Sequence, residues 1–113
     1  MNPERRKNAR FPVNVPVEIH TEGSDIPIRC AISELSLEGC YVETMFPFPI
    51  GTSLDLKLHL EEDAVLITAT VITSFPQVGN GFQFDQMLPE DREVMRTYLD
   101  VLAKKEEEAG KDQ

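Results

Sequence analysis

The strongest structural signal in this chain lies in residues 54–75, LDLKLHLEEDAVLITATVITSF. Its first part has the period of a strand with one buried face, because leucine alternates with polar residues at Leu54, Leu56, Leu58 and Leu60. Residues 61–63 have the composition of a turn, and residues 64–75 are rich in the β-branched residues that favour strands. The stretch therefore predicts two consecutive strands, the second of them long.

Shorter segments on both sides of this stretch repeat the strand pattern. Apolar residues alternate over residues 13–20 and 26–32, and short strands are predicted at 40–44 and 82–84. Pro16 cannot donate a ladder hydrogen bond, so the first strand should lie at an edge or turn that position outward. Turn-forming residues separate all these segments, including the GNG run at 79–81. Together they predict an all-β fold, a closed or nearly closed six-stranded antiparallel β-barrel.

The pattern changes after residue 88. Proline followed by acidic residues (Pro89, Glu90, Asp91) is typical of the first turn of a helix. Apolar residues then follow at helical spacing, which predicts a C-terminal α-helix with one face on the barrel: Val94, Met95, Tyr98, Leu99 and Leu102. Residues 104–113 have almost no apolar content, so we expect them to be frayed or disordered. The predicted organisation is a flexible segment over 1–12, the barrel and helix over 13–103, and a tail over 104–113.

Length and charge narrow the function classes. A chain of 113 residues argues for one domain, and it contains no apolar run long enough to span a membrane. The first residues, MNPERRKNARF, lack the apolar stretch of a secretory signal, so we expect a cytoplasmic protein. Residues 1–10 carry a net charge of +3, whereas the other residues hold 7 basic and 19 acidic side chains, a net charge of −12. An acidic body repels long polyanions, so we expect a small anionic ligand and no DNA.

Two segments could bind such an anion. The first holds Arg5, Arg6 and Arg10, whose planar guanidinium groups suit phosphate oxygens and the O6/N7 edge of guanine. A charge run of this kind is also often a solvated tail. The second segment holds Glu34, Ser36 and Gly39, which offer a carboxylate, a hydroxyl group and a residue that permits positive φ or close backbone approach. Alone, that segment could be an ordinary connection.

Enzymatic motifs are weak in this sequence. His20 and His59 are far apart and lack the spacing of a metal site, and Ser36 has no partner pattern for nucleophilic chemistry. The sequence therefore predicts a binding protein that is not an enzyme and needs no cofactor.

The order and spacing of the two segments resemble the PilZ domain family, whose members bind the bacterial second messenger cyclic di-GMP. The family pattern is RxxxR before the first strand, then Asp or Asn, one residue, serine, two residues and glycine. Arg6 and Arg10 match the arginine pair, Arg5 matches an additional arginine often found beside it, and Ser36 and Gly39 match the second motif. Glu34 departs from the pattern, because its carboxylate is one methylene farther from the backbone than that of Asp. The likeness covers residues 5–103.

The resemblance implies a bacterial cyclic di-GMP receptor with a PilZ-like barrel. The three arginines would bind the guanine and phosphate groups, Glu34 would accept from the guanine edge, and the N-terminal segment would become ordered around the ligand. A downstream protein partner would read that change. The alternative is an interaction adaptor of the same fold that does not bind the nucleotide. Binding of single-stranded nucleic acid on an OB-like barrel ranks last, since the barrel is acidic and the chain has no tryptophan.

Overall fold

The computed structural model describes residues 9–111, with backbone only at residues 110 and 111. Six antiparallel strands and one long helix account for most of this range. They are β1 (Phe11–His20), β2 (Ile28–Leu35), β3 (Gly39–Glu43), β4 (Ser53–Leu60), β5 (Asp63–Phe75), β6 (Gly79–Met87) and α1 (Pro89–Lys111). No described helix has the length and apolar content needed to cross a bilayer.

The strands form a closed barrel in the order β1-β2-β3-β6-β5-β4, with β4 pairing back onto β1. This confirms the predicted fold class. The period-2 pattern of residues 54–75 has the expected effect, since every leucine of β4 is buried and every second residue of β5 from Val65 to Val71 is buried. Pro16 faces outward and lies just before the β1–β4 ladder, which begins at Val17. Its missing N–H group therefore disrupts little.

The helix packs against β5 and β1 of the barrel. Its first turn carries Glu90 and Asp91, as predicted, and Met95 and Leu99 are buried in the same core as the barrel residues. The helix is longer than expected, however, because residues 104–111 continue it where a disordered tail was predicted. Lysine, glutamate and alanine are strong helix formers, so a segment without apolar residues can still extend an established helix.

The other predicted boundaries also need correction. A flexible segment was expected to reach residue 12, but Phe11 is buried and pairs with Leu35, and both Phe11 and Pro12 belong to β1. Residues 1–8 lie outside the described part of the chain. The second strand runs from Ile28 to Leu35, and a bulge between Ile32 and Glu34 shifts its register. Ile26 lies beyond the terminal β1–β2 pair of Ile19 and Ile28, so it does not belong to the strand and is 79% exposed.

The GNG run at 79–81 is not a turn, because it begins β6 and the turn precedes it at residues 76–78. Glycine is required there by close approach of neighbouring groups. A Cβ atom at Gly79 would collide with the backbone oxygen of Val42, and one at Gly81 would collide with Oγ1 of Thr73. Asn80 between them is fully buried.

Candidate functional site

The start of β1 and the end of β2 meet because the two strands are antiparallel. Phe11 pairs with Leu35 and Pro12 pairs with Glu34, so Arg10 lies beside the turn that follows β2. Nη1 of Arg10 donates to Oε1 of Glu34 at 3.2 Å. The side chain of Arg10 is 70% exposed and that of Glu34 is 45% exposed, so solvent reaches both partners and the pair contributes little to stability.

The turn over residues 36–38 is built by its own serine. Oγ of Ser36 accepts from the backbone N–H groups of Glu38 at 3.2 Å and Gly39 at 3.1 Å, and it donates to the carbonyl oxygen of Gly39 at 3.3 Å. The backbone N–H of Ser36 donates to the same carbonyl oxygen at 2.9 Å. This hydroxyl group therefore acts as a side-chain replacement for turn hydrogen bonds.

The requirement for glycine at position 39 comes from packing against the neighbouring strand. It pairs with Gln83 of β6, and a Cβ atom on it would collide with the backbone oxygen of Phe82. The turn is also joined to β6 by a hydrogen bond from the N–H of Phe84 to the carbonyl oxygen of Glu38, at 2.9 Å. Gly39 is thus needed for close approach and not for a positive φ.

These residues surround one cavity of about 310 Å³. Its wall includes Arg10, Glu34, Ser36 and Gly39, so the four predicted site residues that are described come together. Arg5 and Arg6 lie outside the described residues. The cavity is open to solvent, and its volume lies at the lower end of the range of about 300–1,000 Å³ that is usual for small-molecule sites.

Four further residues of the cavity wall were not predicted from the sequence. They lie on three adjacent strands: Tyr41 of β3, Gln83 of β6, and Ile72 and Thr73 of β5, the last two at a register shift of the β5–β6 ladder. Strand alternation could have indicated that Tyr41, Ile72 and Gln83 face outward, but not that Thr73 joins them. It could not show that β3, β6 and β5 are neighbours, since that order depends on the closed topology.

The charges of the described cavity wall do not by themselves attract an anion. Among the described lining residues the charged side chains are Arg10, Glu34 and Glu38, which give a net charge of −1. Nη2 of Arg92 on α1 lies 4.0 Å from Oε1 of Glu38 at the rim, where both side chains are largely exposed. A dianionic ligand would therefore need further cations beside Arg10.

The sequence profile of the PilZ domain matches residues 4–100 of this chain. The chain belongs to the PilZ domain family. No curated protein that was searched matches the sequence.

Solved structures support the same PilZ fold. MotI/DgrA, the inhibitor of motility of Bacillus subtilis, superposes with a TM-score of 0.74 at 20% identity over 89% of this chain and 53% of its own. YcgR of Escherichia coli, in complex with c-di-GMP, gives a TM-score of 0.68 at 19% identity over 96% of this chain and 51% of its own. The PilZ domain of CeSA from a cellulose-synthesizing bacterium gives 0.63 at 17% identity, covering 83% and 97%. The chain thus spans about half of MotI and YcgR, and nearly all of the CeSA domain.

The other reactive side chains considered are two cysteines and His59. Cys30 and Cys40 are free thiols, and burial raises the pKa of both, so they stay protonated near neutral pH. Among the described residues no group of three or more metal-binding side chains comes together. His59 contacts Oε2 of Glu18 at 2.5 Å on the outer surface of β1 and β4, and that hydrogen bond is the main reason why the pKa of Glu18 is lowered.

Proposed function

We propose that this chain is a non-enzymatic receptor for cyclic di-GMP and that it works in the bacterial cytoplasm without a cofactor. The observation that carries the proposal is the convergence of Arg10, Glu34, Ser36 and Gly39 on one cavity in a PilZ domain. The complex of YcgR with c-di-GMP shows that a protein of this fold holds the ligand.

The charge of the cavity supports a role for the arginines that precede the barrel. The described wall has a net charge of −1, whereas cyclic di-GMP carries two negative charges. Arg5 and Arg6 must therefore supply the attraction, and Arg10 would contribute its free guanidinium edge to guanine or phosphate. Binding orders the N-terminal segment around the ligand, and this change is the signal that a downstream protein reads.

Glu34 has two roles in this proposal. Its carboxylate orients Arg10 through the 3.2 Å contact, and its remaining lone pairs accept from the N1–H and N2–H edge of guanine. Ser36 and Gly39 act through the backbone, since they hold the turn that presents Glu34 to the cavity.

Isothermal titration calorimetry with cyclic di-GMP tests the receptor function. Arg6→Ala and Arg10→Ala should abolish the binding heat, while Arg96→Ala on the exposed face of α1 should leave it unchanged. Glu34→Asp should retain or improve affinity, and Glu34→Ala should weaken it. Absence of heat from the unmodified protein at high micromolar ligand would refute the proposal.

The second candidate is an adaptor of the same fold that does not bind the nucleotide. One observation favours it: Arg10 and Glu34 already pair with each other, so neither of these two charges needs a ligand for compensation. In that case none of the arginine variants would alter a ligand titration, because the unmodified protein would give no heat either.

A further inference from the structure

A second concave surface lies between α1 and the turn that joins β4 to β5. We call it the helix groove and define it by Glu61 and Glu62 of the turn and by Glu93, Tyr98 and Val101 of α1. Its volume is about 400 Å³, and none of its lining residues belongs to the nucleotide cavity. A partner in this groove would therefore not compete directly for the proposed nucleotide site.

The floor of the helix groove is apolar. Val94, Tyr98, Val101 and Leu102 lie at helical spacing on one face of α1, with Leu60 of β4 beneath them. Val101 is 46% exposed, although burying such a side chain is favourable. The barrel therefore leaves part of this apolar face of α1 exposed to solvent.

The rim of the helix groove is strongly acidic. Glu61, Glu62, Asp63 and Glu93 line it, and Lys105 is the one basic side chain among its lining residues. Burial raises the pKa of Tyr98, and the nearby carboxylate of Glu61 raises it further. The negative field of the rim therefore extends to the aromatic floor.

The backbone of the turn favours glycine at the position that Glu61 occupies. Leu60 pairs with Asp63, which leaves a two-residue connection, and φ of Glu61 is +32°. A residue with a side chain is disfavoured in that region, and tight hairpins of this kind usually place glycine or asparagine there. A carboxylate is present at this strained position, beside the floor of the groove.

From these features we infer that the helix groove docks a basic amphipathic helix of another protein. Leucine-like side chains of the partner would cover Tyr98 and Val101, and its lysines or arginines would face Glu61, Glu62 and Glu93. The groove follows α1 from Glu93 to Lys105, which at 1.5 Å per residue is roughly 18 Å and matches about three turns of a docked helix.

Fluorescence anisotropy with a labelled synthetic peptide tests this inference on the full chain. The probe is a helix of leucine and lysine about 14 residues long, with leucines along one face. Glu62→Lys combined with Glu93→Lys should weaken binding at least about ten-fold, because two attractive contacts become repulsive. The matched control is Glu22→Lys combined with Glu43→Lys, which makes the same charge change at exposed positions outside the groove and should stay within about two-fold of the unmodified protein.

Two further variants separate docking from folding. Glu61→Gly should weaken binding of the peptide. It should leave the melting temperature of the protein equal or higher, because glycine removes the backbone strain of the turn. Val101→Thr keeps the side-chain volume and should weaken binding about three-fold through the apolar floor. Circular dichroism confirms that each variant is folded.

Four results would overturn the inference. They are absence of peptide binding, equal loss in the control pair, a gain of about ten-fold or more when residues 1–8 are removed, and peptide-induced dissociation of a dimer in light scattering. The third would assign the groove to the chain's own basic segment, and the fourth to a second copy of the chain.

Discussion

Replacing Asn80 by alanine should destabilise the barrel far more than any surface substitution. The side chain is fully buried, and its Oδ1 accepts from the N–H of Phe48 at 2.8 Å. Its Nδ2 donates to the carbonyl oxygens of Phe48 at 3.0 Å and Thr73 at 3.2 Å. One amide group thus attaches the β3–β4 connection to the interior of the β5–β6 hairpin.

The size of the effect follows from those three contacts. A typical protein hydrogen bond contributes about 1 kcal/mol net, and a buried group left without its partner costs about 1–3 kcal/mol. Asn80→Ala leaves the N–H and carbonyl oxygen of Phe48 and the carbonyl oxygen of Thr73 without this hydrogen-bond partner. We therefore expect a loss of roughly 3 kcal/mol in the free energy of unfolding. For a domain of this size that lowers the melting temperature by about 10 °C or more.

Guanidinium chloride unfolding, followed by circular dichroism, measures this loss. Asn14→Ala is the matched control, because Asn14 is exposed on β1 and its replacement should change stability by less than about 0.5 kcal/mol. Asn80→Asp should be at least as harmful as alanine near neutral pH, since it buries a carboxylate beside two carbonyl oxygens. A change below about 0.5 kcal/mol for Asn80→Ala, with an unaltered m-value, would refute this account of the side chain.

Three further predictions concern the turn and the outer surface. Gly39→Ala forces a Cβ atom against the carbonyl oxygen of Phe82 and should lower the free energy of unfolding by about 2–4 kcal/mol. An unchanged melting temperature in thermal unfolding would contradict this prediction. Ser36→Ala should cost about 1–2 kcal/mol, because two backbone N–H groups lose their acceptor; hydrogen exchange at those amides should accelerate, and unchanged exchange would contradict it. The lowered pKa of Glu18 beside His59 gives stability that is present above its ordinary value of 4.5 and is lost as pH falls through the folded value. The stability gap between the parent and Glu18→Gln should therefore narrow below about pH 4.5, and a gap that widens on acidification would disprove the assignment.

The buried faces of this fold could be predicted from local patterns, whereas its register and boundaries could not. Alternation identified the core side of β4 and β5, and helical spacing identified Met95 and Leu99. The same alternation wrongly placed Ile26 in a strand, because the β1–β2 ladder ends at the pair of Ile19 and Ile28. Where a ladder ends depends on the partner strand, and no local pattern records that.

Glycine and charge patterns misled the sequence analysis for related reasons. The run at 79–81 has the composition of a turn, yet its glycines serve the close approach of Val42 and of the Thr73 side chain. The segment 104–111 was expected to be disordered because it lacks apolar residues. Apolar content reports burial, however, whereas helix extension needs only favourable residues after an existing helix. The helix itself was predicted correctly because its stripe packs against the core.

The residues of the candidate site do not all argue equally strongly for ligand binding. The contacts of Ser36 and the approach of Gly39 to Phe82 account for both residues without any ligand. A domain could therefore keep serine and glycine for folding alone. Arg10 and Glu34 are different, because solvent reaches both side chains and their mutual contact contributes little stability. Folding does not require them, so their position beside the cavity is the stronger argument for a ligand. Variants of Ser36 and Gly39 should consequently lower stability and affinity together, whereas variants of Arg10 and Glu34 should change affinity alone.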